Sequence, residues 1–193
     1  MTRYLQRKKR YIKSINIAFL VIPILLLPPL LEWYLDLKES NFFTQYYDEI
    51  LVANILYIVL ARFLLLDSAI FIFSRSKYHV HVALIQVVLL YLEITLVTIV
   101  YYAIVFNIFD PFALFHLSAT FTPENMKDIH EHSFITSMYI STVTFTTLGS
   151  GDWIPQTLMA MIAVISEVIL GVIQGGVFVA IIIYAHQNKE TDT

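Results

Sequence analysis

Long apolar runs separated by short charged stretches dominate this chain. Crossing a bilayer as a helix takes about 20 apolar residues at about 1.5 Å each. Four runs reach that length: roughly Ile15 to Trp33, Ile50 to Phe73, Val80 to Phe109 and Gln156 to Tyr184. Backbone in lipid must satisfy its own hydrogen bonds, so each run is predicted to be helical. The third is long enough to tilt or to project past the bilayer. Pro23 removes a backbone donor inside the first run and predicts a kink there, with a packing role. That run closes on Pro28, Pro29 and the belt-like Trp33 and Tyr34. A further apolar segment, Ser133 to Thr147, is rich in Thr and Ser and too short to cross and return as a helix. It predicts a re-entrant half-helix followed by an extended return strand, and such backbone survives at membrane depth only when buried in protein or lining water.

Composition agrees with a membrane protein. Of the 193 residues, 58% are hydrophobic and 14% charged, about half the charge of a soluble domain. There is no cysteine, which excludes disulfides and Cys-ligated metal sites. Charge then orients the spans. Arg3, Arg7, Lys8, Lys9, Arg10 and Lys13 precede the first run with no acid among them, and Arg75 and Lys77 lie between the second and third. Glu32, Asp36, Glu39, Asp48 and Glu49 lie at and beyond the end of the first run, and Asp110, Glu124, Asp128 and Glu131 precede the last. Both termini are therefore expected in the cytoplasm of a cell or plasma membrane, with 111–155 outside. The basic start resembles a signal peptide, but the long run behind it has no small-x-small cleavage site, so a retained helix is expected. The expected organisation is a basic N-terminus over 1–14, two peripheral helices over 15–79, a third-and-fourth-helix unit over 80–186 and a short tail over 187–193.

The loop after the half-helix carries the chemistry. Thr146-Thr147-Leu148-Gly149-Ser150-Gly151-Asp152 combines oxygen-bearing side chains with two glycines. Glycine reaches φ > 0 at little cost, which lets successive carbonyls point one way and replace the water shell of a cation. Thr147 adds a hydroxyl. A half-helix ending there aims the negative end of its dipole at the same place, and Asp152 stands at the outer mouth. All five glycines fall at Gly149, Gly151, Gly171, Gly175 and Gly176, and the first three runs have none. General helix packing would have spread them.

The loop, with Pro155 three residues beyond Asp152, resembles the potassium-channel signature. The resemblance covers roughly Val80 to Lys189. It implies an outer helix, a pore helix, a filter of Thr147, Leu148, Gly149, Ser150 and Gly151, and an inner helix. Tyr139 falls where the family places a pore-helix aromatic that can bond the filter Asp, and Gly171 where it often has a hinge glycine. Trp153 joins Tyr139, Thr146 and Asp152 as filter support. One chain supplies one loop, so the expected assembly is a homotetramer in the bilayer. The implied fold is an all-α membrane protein of four transmembrane helices with a re-entrant pore helix. The transported ion is K+, with Na+ left open, and no other cofactor, metal or nucleic acid is expected. The departure is Ser150, where the family has Tyr or Phe. Serine keeps the carbonyl but lacks the ring that packs behind the filter. A non-selective monovalent cation channel therefore stays open, as does a non-conducting subunit that modulates a related channel.

Arg62, Asp67, Glu93 and Glu167 lie inside the spans, where charge is costly and faces partners or water. Arg62 is expected to pair with Glu93 or Glu167, in a structural network or a gating element. Glu167 is expected at the back of the Thr/Ser-rich half-helix, with the cavity as the other place for it. Gly171 and Gly175 match the small-residue helix-packing spacing. His130 and His132 are read as solvated residues outside, with pH sensing or a metal pair the weaker readings. His79 and His81 belong with lipid headgroups. No regular Lys/Arg repeat marks a voltage sensor. Nine residues follow Tyr184, so gating is expected from the filter, the inner helix, lipid or a separate regulatory partner. No nucleophile–base pair is recognisable, so an enzyme is not expected. Replacing Ser150→Tyr is expected to raise the ratio of potassium to sodium flux in reconstituted liposomes; an unchanged ratio would remove the missing ring as a determinant.

Overall fold

The computed structural model describes residues 22–37, 46–74, 84–118, 127, 129–149 and 151–190. Ser150, the basic start 1–14, and Arg75, Lys77, His79 and His81 lie outside the described residues, as does the side chain of Asp67. The chain is mostly helical: α1 Leu27–Asp36, α2 Tyr47–Ser74, α3 Leu84–Ile108, the single turn α4 Pro111–Leu114, α5 Ser133–Phe145 and α6 Leu158–Glu190. Within α3 and α6, Val88–Ile108 and Leu158–Ile183 are long and apolar enough to cross a membrane.

Two features depart from the pattern read along the chain. Within the described part of the first run, Pro23 sits in a 3-10 segment, Ile22–Leu26, and α1 follows it directly. Pro28 and Pro29, expected to close the run, instead occupy the first turn of α1. There the missing N–H groups have no intrahelical partner to lose. The fold is also not purely helical. β1 Phe115–Leu117 and β2 Trp153–Pro155 pair antiparallel, with His116 opposite Ile154. The Gln156 N–H extends the pairing to the Leu114 carbonyl at 2.9 Å, and the Ser118 N–H to the Asp152 carbonyl at 2.7 Å. These strands are too short for a period-2 pattern to announce them.

The most extensive packing sets α5 against α3, with α6 beside both. Its centre is aromatic: Tyr101, Tyr102, Phe106, Phe109 and Phe115 are fully buried. Phe106 and Phe115 meet edge to face at 5.1 Å, and Tyr101 meets Tyr102 the same way at 6.0 Å. Such pairs contribute about 0.5–1.5 kcal/mol each beyond burial. Lipid is as apolar as a leucine side chain, so helices there associate through close packing and hydrogen bonds. The helices α1 and α2 join the others by contacts of the same kinds. Trp33 of α1 stacks on Phe134 of α5 at 5.4 Å. Asn54 of α2 donates to Glu32 Oε2 at 2.5 Å and to the Ile50 carbonyl at 3.1 Å, and its Oδ1 accepts from Tyr101 at 2.8 Å. One amide thus ties α1, α2 and α3 together.

Replacing Asn54→Ala removes the donor to Glu32 Oε2 and leaves the buried Tyr101 hydroxyl only the backbone carbonyl of residue 54, at 3.0 Å. The expected loss is about 1–3 kcal/mol, read as earlier thermal unfolding of detergent-solubilised protein, and wild-type melting would show the network contributes little.

Candidate functional site

α5 buries one stripe, Ser137, Ile140, Ser141, Thr144 and Phe145, at the 3, 4, 7, 8 spacing of a helix face. It then stops at a defined turn. The Thr147 N–H returns to the Thr144 carbonyl at 3.0 Å, and the Leu148 N–H to the Val143 carbonyl at 3.1 Å. Thr147 has φ of 58°. This is a Schellman ending, a left-handed residue flanked by two reversed hydrogen bonds, built here on threonine rather than the usual glycine. Gly149 follows with φ of 73°, a conformation in which an L side chain is strained. The loop from Thr146 to Gly149 therefore turns where an extended return strand was expected. Its chain direction changes at left-handed residues, and regular pairing begins only at Trp153.

This turn also decides where the carbonyls of α5 go. Those of Thr142, Val143 and Thr144 accept from residues 146 to 148. The Phe145 carbonyl faces α6, and its oxygen would collide with a Cβ on Gly171. Gly171 thus sits within an unbroken helix at a close approach between two backbones. The hinge expectation had not foreseen that contact. Gly149, Gly151, Gly175 and Gly176 have open space around the same position.

One helical turn before Gly171, Glu167 is fully buried against the back of α5, the side favoured from the sequence. Its Oε1 is hydrogen-bonded to the Ser141 hydroxyl, which is also 2.9 Å from the Ile99 carbonyl of α3. Beside it the Tyr102 and Ser166 hydroxyls are 2.7 Å apart. Arg62 does not pair with Glu93 or Glu167. Its guanidinium donates to Gln174 Oε1, while Gln174 Nε2 donates to Thr95 Oγ1 at 2.6 Å. Gln174 is seven residues, about 10 Å, along α6 from Glu167, so one guanidinium cannot serve both. Glu93 is half-buried, with no partner for Oε2 among the described residues.

The remaining predicted positions separate into held and exposed. Trp153 is buried and meets Phe112 edge to face at 5.5 Å. Thr146, Thr147, Gly149, Gly151 and Asp152 are exposed, and Leu148 is 78% exposed. Tyr139 lies off the buried stripe of α5 and is half exposed; among the described residues no hydrogen bond joins it to Asp152. Support comes instead from Ser118, whose hydroxyl donates to the Gly151 carbonyl at 3.0 Å. Nothing in the sequence marks Ser118, because only the sheet brings it there. Ser141 and Gln174 carried a weak signal, as polar residues on helix faces that must be buried. His130 and His132 are exposed, and the His130 ring stacks on Phe112 at 3.6 Å. Among the described residues no three His, Cys, Asp or Glu side chains group to hold a metal.

The class that this arrangement defines is a membrane ion channel. Over residues 59–187 the chain matches the family described as ion channel. It belongs to that family, the two-helix, potassium-channel type of pore domain. No curated protein and no solved structure matches the chain.

A Gly171→Ala methyl would meet a backbone oxygen, so α5 or α6 must shift. The expected cost is about 1–3 kcal/mol, measured as a lower melting temperature with a fall in cation flux. Unchanged melting would show that the two backbones do not approach this closely.

Proposed function

We propose that the chain is one subunit of a homotetrameric cation channel that conducts K+ passively through Thr147, Leu148, Gly149, Ser150 and Gly151. The observation that carries this reading is the exposure of Thr146 to Gly149 beside two membrane-length helices. Polar backbone in that position needs protein or water to cover it. Four copies around one axis supply the cover and complete rings of oxygen ligands, which one loop cannot. Left-handed φ at Thr147 and Gly149 supports the ligand role, since alternation of handedness turns neighbouring carbonyls toward one side. The negative end of the α5 dipole favours a cation at this point.

The topology proposed is four transmembrane helices with both termini cytoplasmic and the filter toward the outside. α3 and α6 serve as outer and inner helix, and α1 and α2 brace them through Trp33, Asn54 and Arg62. A second reading, non-selective monovalent conduction, draws on Ser150 and on the Gly151 carbonyl, which Ser118 already engages. An engaged carbonyl is a weaker ligand and favours a wider outer filter.

Purified protein reconstituted in liposomes tests both readings. Potassium flux above sodium flux is expected. Equal fluxes select the non-selective reading, and no flux of either ion overturns conduction in favour of a modulatory subunit. Gly149→Ala is expected to reduce flux at least about tenfold, because alanine at this φ costs roughly 1–2 kcal/mol. Retained flux would remove this loop as the conduction path.

A further inference from the structure

The contact between Glu167 and Ser141 contains a proton-counting problem that assigns a chemical state. A serine hydroxyl has one proton to donate. Ser141 Oγ lies within hydrogen-bonding reach of two groups, Glu167 Oε1 and the Ile99 carbonyl. A carbonyl only accepts, and so does an ionised carboxylate. With Glu167 ionised, one of the two contacts would be oxygen against oxygen with no proton between them. The other carboxyl oxygen, Oε2, is buried with no partner among the described residues. An ionised group would leave negative charge on that oxygen with no donor, in a site with no water surface.

The neighbours do not remove this conflict. From α3, Tyr102 faces the site, and its hydroxyl is engaged with Ser166. From α2, Arg62 directs its guanidinium to Gln174. From α5, Ser137 is buried and its hydroxyl has no partner among the described residues. A protonated Glu167 satisfies the geometry: its O–H donates to Ser141 Oγ, and Ser141 then donates to the Ile99 carbonyl. Oε2 becomes a neutral carbonyl oxygen, which is far cheaper to bury without a partner.

We propose that Glu167 works as a neutral carboxylic acid and is a positioning residue for the filter, holding α5 to α6 and α3 through the chain Glu167 to Ser141 to Ile99. It acts on the filter through α5. Ser141 and Phe145 are one turn apart on α5, as Glu167 and Gly171 are on α6, so the acid and the glycine form a two-point clamp in register. The clamp holds the last turn of α5, from which Thr146 and Thr147 lead into the loop. This rests on the filter reading above, whereas the protonation state does not.

Infrared spectroscopy of the reconstituted protein, with cation flux on the same samples, tests the proposal. The C=O stretch of a protonated carboxylic acid should appear in wild type and be missing from Glu167→Gln. Glutamine supplies an N–H donor to Ser141 in place of the acid O–H and keeps a carbonyl oxygen, so Glu167→Gln is expected to hold flux within about twofold of wild type. Glu167→Ala and Ser141→Ala break the chain and are expected to lose about tenfold, the size of one buried hydrogen bond. Absence of a band sensitive to Glu167→Gln overturns the neutral state, whether or not the protein conducts. A band that is present, with Glu167→Gln as impaired as Glu167→Ala, overturns the positioning role. Loss of the assembled protein on size-exclusion chromatography marks a folding defect, for which the infrared comparison of wild type alone at neutral and alkaline pH still decides the state.

Discussion

The close, parallel contact between the short helix α5 and the long helix α6 is the constraint on which the rest of the structure depends. A 13-residue helix that stops between two membrane-length helices cannot be stabilised by its own length. It is held by what its buried stripe meets. Gly171 admits the Phe145 carbonyl where any side chain would collide with it, and Ser141 reaches the Glu167 carboxyl one turn earlier. Both contacts are short-range and directional, so they fix depth and rotation together. The position of the loop from Thr146 onward follows from that.

The other elements serve the same placement from further out. The aromatic core on α3 gives α5 its second wall, and Ser141 joins that wall through the Ile99 carbonyl. The β1–β2 pair anchors the far end of the loop, with Ser118 bonded to Gly151 and Asp152. The loop is thus tied at its start by a helix ending and at its end by a sheet, with exposed residues between. α2 reaches α6 through Arg62 and Gln174, three residues past Gly171. The arginine has a neutral amide rather than a carboxylate as its partner. The amide oxygen accepts from the guanidinium without adding a second buried charge.

Much of the local architecture was legible in the sequence. Runs of apolar residues of membrane length marked α3 and α6 because lipid tolerates little else over that distance. The Thr/Ser-rich segment marked α5 by being apolar yet too short to cross. Clustering of glycine at 149, 151 and 171 marked the loop and one contact point. The same signals misled where they were ambiguous. Pro28 and Pro29 are read equally well as the end of one helix or the start of another, since both boundaries lack a donor requirement. Arg62 had two acids within plausible reach, and only the relative rotation of α2 and α6 directs it to Gln174.

By itself the sequence determined two helices of membrane length, the short Thr/Ser-rich helix between them and the ion-channel family it resembles. These follow from residue type and spacing, which act locally. Tertiary structure alone decided that Thr147 takes a left-handed turn, that Gly171 serves a backbone contact, that Ser118 holds Gly151, and that Glu167 and Ser141 share a proton-limited bond. Each of these depends on which atoms of distant segments approach within hydrogen-bonding or van der Waals range. Spacing along one helix specifies a face, but not the atom that another helix will place against it.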